Sequence, residues 1–164
     1  MAPEAESGAG AAGLSIRKYG SGDLSAVLSV CRRSPEAAQW SEKGFEEAGS
    51  SGQLILVAEV AAGDSARARV CGFLVAGVVA GEAELLNMAV DTADRRKGLG
   101  SKLLAAAAKE AARQDAQRMY LEVRESNLAA ISFYEKHGFR KSGEREGYYK
   151  NPTENAVLME KLTG

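Results

Sequence analysis

In the first half of the chain, short apolar runs alternate with turn residues. This pattern is typical of strands, and it predicts strands at 14–19, 54–60, 70–79 and 84–90. The second and third of these strands flank a polar, glycine-containing connection. We therefore predict that they form an antiparallel hairpin.

Apolar residues spaced three and four positions apart predict two helices in this half. The first runs from Leu24 to Cys31, and Asp23 is the residue expected to cap it. A second, short helix is predicted to begin at Pro35 with Ser34 as its cap, because proline suits the first turn of a helix.

Two further helices are predicted in the second half. One is long and alanine-rich, with its apolar face running from Leu99 to Ala111. The other covers 128–137, and Asn127 is suited to cap its start. Gly138 is placed to end this helix in a left-handed conformation, and Phe139 is placed to fold back as the apolar contact of such an ending.

The remaining segments of the second half alternate apolar and polar residues, most regularly at 118–124. Two more strands are predicted at 140–148 and 155–161. The order of elements is then β-α-α-β-β-β-α-β-α-β-β. It predicts an α/β fold with a central mixed, mostly antiparallel sheet flanked by about four helices.

Length and composition narrow the class of protein. The 164 residues suggest one domain, at 14–164, after a flexible tail at 1–13 that is rich in alanine and glycine. A formal net charge of −1 argues against a general nucleic-acid binder. No run reaches the roughly 18 apolar residues of a membrane span, and the N-terminus lacks the pattern of a secretory signal. We expect a cytoplasmic protein that binds neither membranes nor nucleic acid directly.

The cysteines and the histidine give little sign of chemistry. Cys31 and Cys71 lie in apolar surroundings without metal-binding spacing, which predicts buried thiols, no disulfide and no metal site. His137, the only histidine, falls at a helix C-terminus, where a positive charge is favourable, and a catalytic role is the minor alternative.

The segment between strand 84–90 and the long helix is suited to bind an anion. The first turn of a helix has unpaired backbone N–H groups, and Gly98 and Gly100 let a phosphate approach them closely. Arg95, Arg96 and Lys97 add positive charge. The segment is neither a Walker A loop nor a Rossmann fingerprint. A pyrophosphate site is one interpretation, and an ordinary helix start is the other.

The pattern Arg-x-x-Gly-x-Gly at 95–100 resembles the acetyl-CoA loop of the GNAT acetyltransferase superfamily, and Leu86–Val90 resembles the strand before that loop. More specifically, 121–127 and 130–139 resemble the bacterial ribosomal-protein-alanine N-acetyltransferase family, RimI. The resemblance covers about 14–162 and includes Gln39-Trp40-Ser41-Glu42 and Tyr148-Tyr149.

This resemblance implies a GNAT fold and an enzyme that moves an acetyl group from acetyl-CoA to a protein N-terminal α-amine. The implied acceptor is the N-terminal alanine of a small-subunit ribosomal protein. Glu122 would accept the proton and Tyr134 would donate one to the departing thiolate. The residues implied to contact the cofactor are Met88, Ala89, Val90, Arg95, Arg96, Lys97, Gly98, Leu99, Gly100, Ser101, Asn127 and Tyr134.

Several of these assignments have an alternative. Glu122 is placed equally well to pair with a neighbouring cation, and Glu84 is a rival proton acceptor on the adjoining strand. Tyr134, on a helix, is also suited to simple packing. Two aromatic pairs, Trp40 with Phe45 and Tyr148 with Tyr149, either pack in the fold or contact the acceptor.

One departure from the family pattern affects the acceptor. The family often has Glu-Asp-Ala before its last strand, where this chain has Glu154-Asn155-Ala156. Two other functions stay open: acetylation of a small amine such as a polyamine, amino acid or antibiotic, and a non-catalytic acyl-CoA-binding module.

Overall fold

The computed structural model describes residues 13–61 and 68–163. The predicted tail therefore lies almost entirely outside the described residues, as does most of the predicted polar connection. The elements are β1 (Leu14–Lys18), α1 (Leu24–Arg32), α2 (Glu42–Ser50), β2 (Leu54–Val60), β3 (Arg69–Val79), β4 (Glu82–Val90), α3 (Leu99–Arg113), β5 (Arg118–Arg124), α4 (Leu128–Lys136), β6 (Arg140–Tyr149) and β7 (Glu154–Leu162).

The strands form one seven-stranded sheet in the order β1-β2-β3-β4-β5-β7-β6. β1 pairs with β2, β5 with β7, and β6 with β7 in antiparallel fashion, whereas β4 and β5 are parallel. The predicted mixed sheet with four helices is therefore confirmed. β2 and β3, the predicted hairpin, are neighbours in the sheet.

The chain divides into two compact units. The first contains the described residues up to Val75 together with Asn87–Ala106, and the second contains Ala76–Leu86 with the described residues from Ala107 onward. The boundary 14–164 for a single domain stays a prediction.

The core of the first unit includes the apolar sides of α1 and α2, which are buried. All residues from Leu54 to Ala58 of β2 are buried. Phe45 of α2 is fully buried, and its ring lies 5.2 Å from that of Trp40 and 5.3 Å from that of Phe73. Phe45 is therefore a core residue, as one of the two alternatives predicted.

The second helix was predicted in the wrong place. Residues 34–37 form a turn, in which the Ala37 N–H donates to the Ser34 carbonyl at 2.9 Å, and the helix begins only at Glu42. The Ser34 hydroxyl is buried and has no hydrogen-bond partner among the described residues. Ser41 provides the cap, because its Oγ accepts from the Gly44 N–H at 3.3 Å.

Asp23 occupies the predicted cap position of α1, but the predicted capping by its side chain is wrong. Asp23 precedes α1, but its side chain makes no cap hydrogen bond to that helix. Its carboxylate instead accepts two hydrogen bonds of 2.8 Å from Arg17 and one from the Gly20 N–H. An arginine on the neighbouring strand therefore takes the oxygens that a helix N-terminus would have used.

In the second unit, both ends of α4 form as the sequence predicts. Asn127 Oδ1 accepts from the Ala130 N–H at 3.1 Å. Gly138 has φ +92°, and the N–H of Phe139 donates to the Tyr134 carbonyl at 3.0 Å. The Phe139 ring packs 5.5 Å from that of Tyr134. These contacts are those of a Schellman ending.

Cys31 and Cys71 are buried free thiols, as predicted, and burial raises the pKa of Cys71 to about 11. Within the described ranges, no helix is long and apolar enough to cross a membrane.

Candidate active site

The loop between β4 and α3 has the open backbone that an anion site requires. Gly98 has φ +82°, and no other atom lies within 4 Å of the position its Cβ would take. Leu99, the first residue of α3, is buried and anchors the helix start. The N–H groups of this first turn lie before the start of the helical hydrogen-bond pattern. The part-buried Ser101 lies in the same turn.

The three basic side chains of this loop have different surroundings. Lys97 lies 3.1 Å from the buried carboxylate of Asp94. Arg95 pairs with Glu36 and donates to the Val90 carbonyl at 2.7 Å. Arg96 is exposed, has φ +65°, and has no hydrogen bond or ion pair among the described residues. The sequence had assigned all three the same role.

Two buried aspartates beside the loop were missed by the sequence analysis. Asp94 accepts two hydrogen bonds of 3.1 Å from Arg69, and this pairing is the main reason that its pKa is lowered. Asp91 accepts two from Arg33, at 3.0 and 2.7 Å. The only signal in the sequence was that two acidic residues come just before the three basic ones.

The strand before the loop is packed closely against β3. A Cβ at Gly72 would lie 3.0 Å from the Ala89 carbonyl oxygen, so only glycine fits there without displacement. Ala89 is buried, while Met88 and Val90 on either side are partly exposed. Asn87 is buried and donates to the Ala38 carbonyl at 2.9 Å.

In the second unit, the parallel pairing of β4 with β5 brings two carboxylates together. The register places Glu84 beside Tyr120, and Glu122, two residues further along β5, lies on the same face of the sheet. Burial raises the pKa of Glu84, and the nearby charge of Glu122 raises it further. Beyond Tyr120, β5 has ladder partners only in β7 among the described strands.

Glu122 has a cationic partner. Its side chain is 15% exposed and forms an ion pair with Arg145 of β6. Arg145 lies opposite the small, buried Ala156 of β7, over which its side chain can extend toward β5. Tyr148 also lies near Glu122, whose interaction with the tyrosine hydroxyl is the main reason that the pKa of Tyr148 is raised. The ion pair considered as an alternative for Glu122 is thus present.

Tyr134 is 8% exposed, and burial raises its pKa strongly. Its ring packs edge-on against Phe133 and Phe139. Tyr149 exerts a weaker effect on the Tyr134 hydroxyl, and its own pKa is raised to about 12, mainly by burial. The side chain therefore packs as one alternative predicted and keeps its proton at neutral pH, as a proton donor must.

The end of the sheet near Tyr148 and Tyr149 is held by Arg124. Its guanidinium lies 4.5 Å from the centre of the Tyr149 ring and 2.9 Å from the Glu154 carboxylate. Asn155, the departure from the family pattern, accepts from the Gly147 N–H at 2.9 Å. This residue therefore holds the irregular part of β6 before Tyr148, where the register with β7 shifts.

His137 Nδ1 lies 2.8 Å from the Phe133 carbonyl oxygen, at the C-terminal end of α4. Within the described ranges, no three His, Cys, Asp or Glu side chains are grouped to hold a metal ion.

Comparison with known proteins identifies the class to which this fold and site belong. The model of the acetyltransferase (GNAT) family matches residues 24–139, which include the loop and both carboxylates. The chain therefore belongs to the GNAT acetyltransferase family.

Individual relatives narrow the assignment within this family. The [ribosomal protein bS18]-alanine N-acetyltransferase of Salmonella typhimurium is 37% identical over 139 residues, covering 84% of this chain and 89% of the relative. The crystal structure of the Escherichia coli ribosomal-protein-S18-alanine N-acetyltransferase matches with a TM-score of 0.78 at 31% identity, over 92% of this chain and 94% of that one. Ard1 from Thermoplasma volcanium matches with a TM-score of 0.80 at 28% identity, over 92% and 97%. Within the family, the chain is a RimI-type, acetyl-CoA-dependent N-acetyltransferase.

Proposed function

We propose that this enzyme acetylates the N-terminal alanine of ribosomal protein S18 in its own cell, and that it acts in the cytoplasm. The observation that carries the proposal is the 37% identity to the Salmonella enzyme over 89% of that enzyme's length. The residues that the resemblance assigned to catalysis, Glu122 and Tyr134, are both present.

Acetyl-CoA is proposed to bind through its pyrophosphate at the start of α3, with the backbone of Gly98, Leu99, Gly100 and Ser101 as donors and Arg96 as the main charged contact. The open space at Gly98 supports this assignment, as does the guanidinium of Arg96, which has no ion pair or hydrogen bond among the described residues. The backbone of Met88, Ala89 and Val90 is proposed to meet the acetyl and pantetheine arm. Asn127 is proposed as a further contact, although its Oδ1 also caps α4.

The reaction is the attack of a neutral amine on a thioester. A bond forms between the amine nitrogen and the acetyl carbon, and the bond from that carbon to sulfur breaks. We propose that Glu122 receives the proton lost by nitrogen and that Tyr134 gives its proton to the thiolate of CoA; both groups then exchange protons with water. An α-amine has a reference pKa of about 7.7–8.0, against about 10.4 for lysine, so the neutral form needed for attack is far more accessible.

The decisive experiment is a panel of otherwise identical peptides that begin with Ala, Ser, Gly or Met. Free lysine, a polyamine and an N-acetylated Ala peptide serve as controls, and thiol release from acetyl-CoA is followed. We expect fastest release with the Ala peptide and none with its acetylated form. Activity on lysine or polyamine alone contradicts the proposal.

One observation favours a second function, acetylation of a small cationic amine. Glu84 and Glu122 lie on one face of the sheet, and two carboxylates suit a polycation. The ion pair of Glu122 with Arg145 offsets part of this charge and makes the single charge of an N-terminus the better match. Thermal stabilisation by acetyl-CoA without thiol release from any amine would instead support a non-catalytic module.

A further inference from the structure

Two aspartates are buried beside the loop that precedes α3, which is unusual because a buried carboxylate is unfavourable unless it is paired. Asp94 is 1% exposed and Asp91 is 4% exposed. Each accepts a bidentate pair of hydrogen bonds from an arginine distant in sequence, Arg69 for Asp94 and Arg33 for Asp91. Arg69 also lies 3.7 Å from Asp91, so it links the two.

This network fixes the charged side chains of the loop. Asp94 holds Lys97, three residues later, at 3.1 Å. Its own N–H donates to the Asp91 carbonyl at 2.9 Å, which closes the turn that leads into the loop. Arg95 is held by Glu36 and by the Val90 carbonyl. Of the three consecutive basic residues, Arg96 alone keeps its guanidinium unpaired among the described residues.

We propose that Asp94 is a positioning residue for the acetyl-CoA pyrophosphate, and that Arg96 is the basic side chain of the loop that contacts it. The inference rests on the proposed function of this loop. Through its bonds with Arg69, Asp94 connects β3 to the turn before Gly98. Its ion pair with Lys97 also keeps that side chain away from the phosphate. The backbone N–H groups of the first helical turn are then ordered before the ligand arrives, so that less conformational freedom is lost on binding.

Because Asp94 is negatively charged, a positioning role can be distinguished from a simple effect of charge on CoA binding. A carboxylate beside an anion site repels the anion, so on charge alone the substitution Asp94→Asn strengthens CoA binding. If Asp94 positions the loop, the same substitution weakens binding although it removes a negative charge. The two explanations therefore predict opposite signs.

Titration calorimetry with CoA as the ligand tests this. Asp94→Asn is expected to weaken binding by about three- to tenfold, because the amide has no charge and only one acceptor oxygen, so it cannot keep the bidentate pair with Arg69. Glu36→Gln, which also removes a carboxylate near the loop but frees Arg95, is the matched control. It is expected to leave affinity unchanged or to increase it. If Asp94→Asn binds CoA as tightly as the wild type or more tightly, the positioning role is wrong.

The assignment of Arg96 is tested in the same way. Arg96→Gln is expected to weaken CoA binding by about tenfold and to reduce its dependence on salt, since one charged contact to phosphate is lost. Lys97→Gln should have a smaller effect. Arg113→Gln, at the other end of α3, makes the same change in charge about 20 Å along the helix and should leave affinity as in the wild type. An effect of Lys97→Gln larger than that of Arg96→Gln contradicts the assignment.

Further variants separate positioning from misfolding and from failure of the proposed function. Arg69→Lys keeps the charge but loses the bidentate geometry, so it is expected to weaken CoA binding less than Asp94→Asn does.

Pantetheine, which lacks the pyrophosphate, should bind all variants equally. A matching loss of pantetheine binding means that the substitution distorts the whole site and contradicts a role confined to the pyrophosphate. If the wild type fails to bind CoA, the proposed function itself fails. If it binds CoA and Asp94→Asn is not weakened, only this inference fails.

Discussion

The neighbours of the Glu122 carboxylate fit two roles, that of a proton acceptor in catalysis and that of a structural ion-pair partner. Arg145 forms an ion pair with Glu122, Tyr148 lies close enough for Glu122 to raise the pKa of its hydroxyl, and Glu84 lies close enough for its own pKa to be raised by the Glu122 charge. Glu84 lies in no ion pair of the described residues, and Tyr120, its neighbour on β5, lowers its pKa. Both carboxylates therefore stay candidates for the base, and variants of each decide between them.

The first prediction concerns the base. Glu122→Gln is expected to lower kcat by about 100-fold, the usual contribution of a general base, while the affinity for CoA stays within about twofold. The measurement is steady-state thiol release with the Ala peptide, together with CoA calorimetry. Glu84→Gln is the matched variant on the adjoining strand. An unchanged kcat in Glu122→Gln, with a large loss in Glu84→Gln, transfers the role to Glu84.

The second prediction concerns the electrostatic interaction of Glu84 with Glu122 and Arg145. Burial and the like charge of Glu122 raise the pKa of Glu84, whereas the Arg145 cation lowers it. Glu122→Gln removes a repulsion between negative charges, so the pKa of Glu84 should fall. Arg145→Gln removes the attraction between the Arg145 cation and the Glu84 carboxylate, so the pKa of Glu84 should rise. Carbon-13 NMR titration of the labelled side-chain carboxyls measures both directions without requiring activity.

In that titration, Arg145→Lys is the control because it keeps the positive charge, and it should leave the pKa of Glu84 near that of the wild type. Arg145 is 58% exposed, so water screens its charge and the effect should be smaller than for a buried pair. The electrostatic description of the cluster is wrong if Arg145→Gln and Glu122→Gln shift the titration in the same direction.

At the scale of elements, the sequence predicts helix ends well where the signal is local. Asn127 and Gly138 both act through hydrogen bonds to residues at most five positions away, so neighbouring residues contain all the information. The start of α2 was missed because Ser34-Pro35 and Ser41-Glu42 are equally acceptable starts by local pattern. Phe45 selects the second, since a helix starting at Glu42 places its ring against Phe73 in the core.

The third prediction belongs to α4. Gly138→Ala is expected to reduce the free energy of unfolding by about 1 kcal/mol, because the residue has φ +92° and L side chains are strained there. A clash does not contribute, since the nearest atom to the added Cβ, Lys161 Cδ, would be 3.7 Å away. Urea unfolding gives the change.

Gly22→Ala is the matched control for that substitution. Gly22 lies outside the left-handed region, and no atom lies within 4 Å of its Cβ position. The same change in composition should therefore leave stability within about 0.5 kcal/mol of the wild type. Equal losses at both glycines would rule out backbone strain as the cause at Gly138.

At the scale of the whole molecule, acid should destabilise the fold through its paired carboxylates. Asp23, Asp94 and Glu154 all have a lowered pKa, which arginine partners cause for the first two and Ser126 mainly causes for the third. A carboxyl whose pKa is lower in the folded state stabilises above its unfolded pKa of about 4, and this contribution is lost as pH falls through the folded value.

The fourth prediction follows from that linkage. The free energy of unfolding, measured in urea from pH 7 to pH 3, should fall below about pH 4, and Asp94→Asn should reduce the steepness of the fall. Asp115→Asn, at an exposed aspartate in no ion pair of the described residues, is the control and should change the slope less. A slope that Asp94→Asn leaves unaltered would mean that the buried pair with Arg69 contributes nothing to acid sensitivity.

The sequence by itself determined the order of the elements, the glycine-containing helix start after β4, both ends of α4 and the family. Each of these depends on residues that are close together in the chain. Only the tertiary structure decided which charges are paired, because Arg69 reaches Asp94 across 25 positions and Arg145 reaches Glu122 through the pairing of β6 and β5 with β7. Strand register sets those distances. The parallel register of β4 and β5 placed Glu84 on the same face as Glu122, whereas the fold of the loop after β4 buried Asp94 against Arg69 and left Arg96 without an ion pair among the described residues.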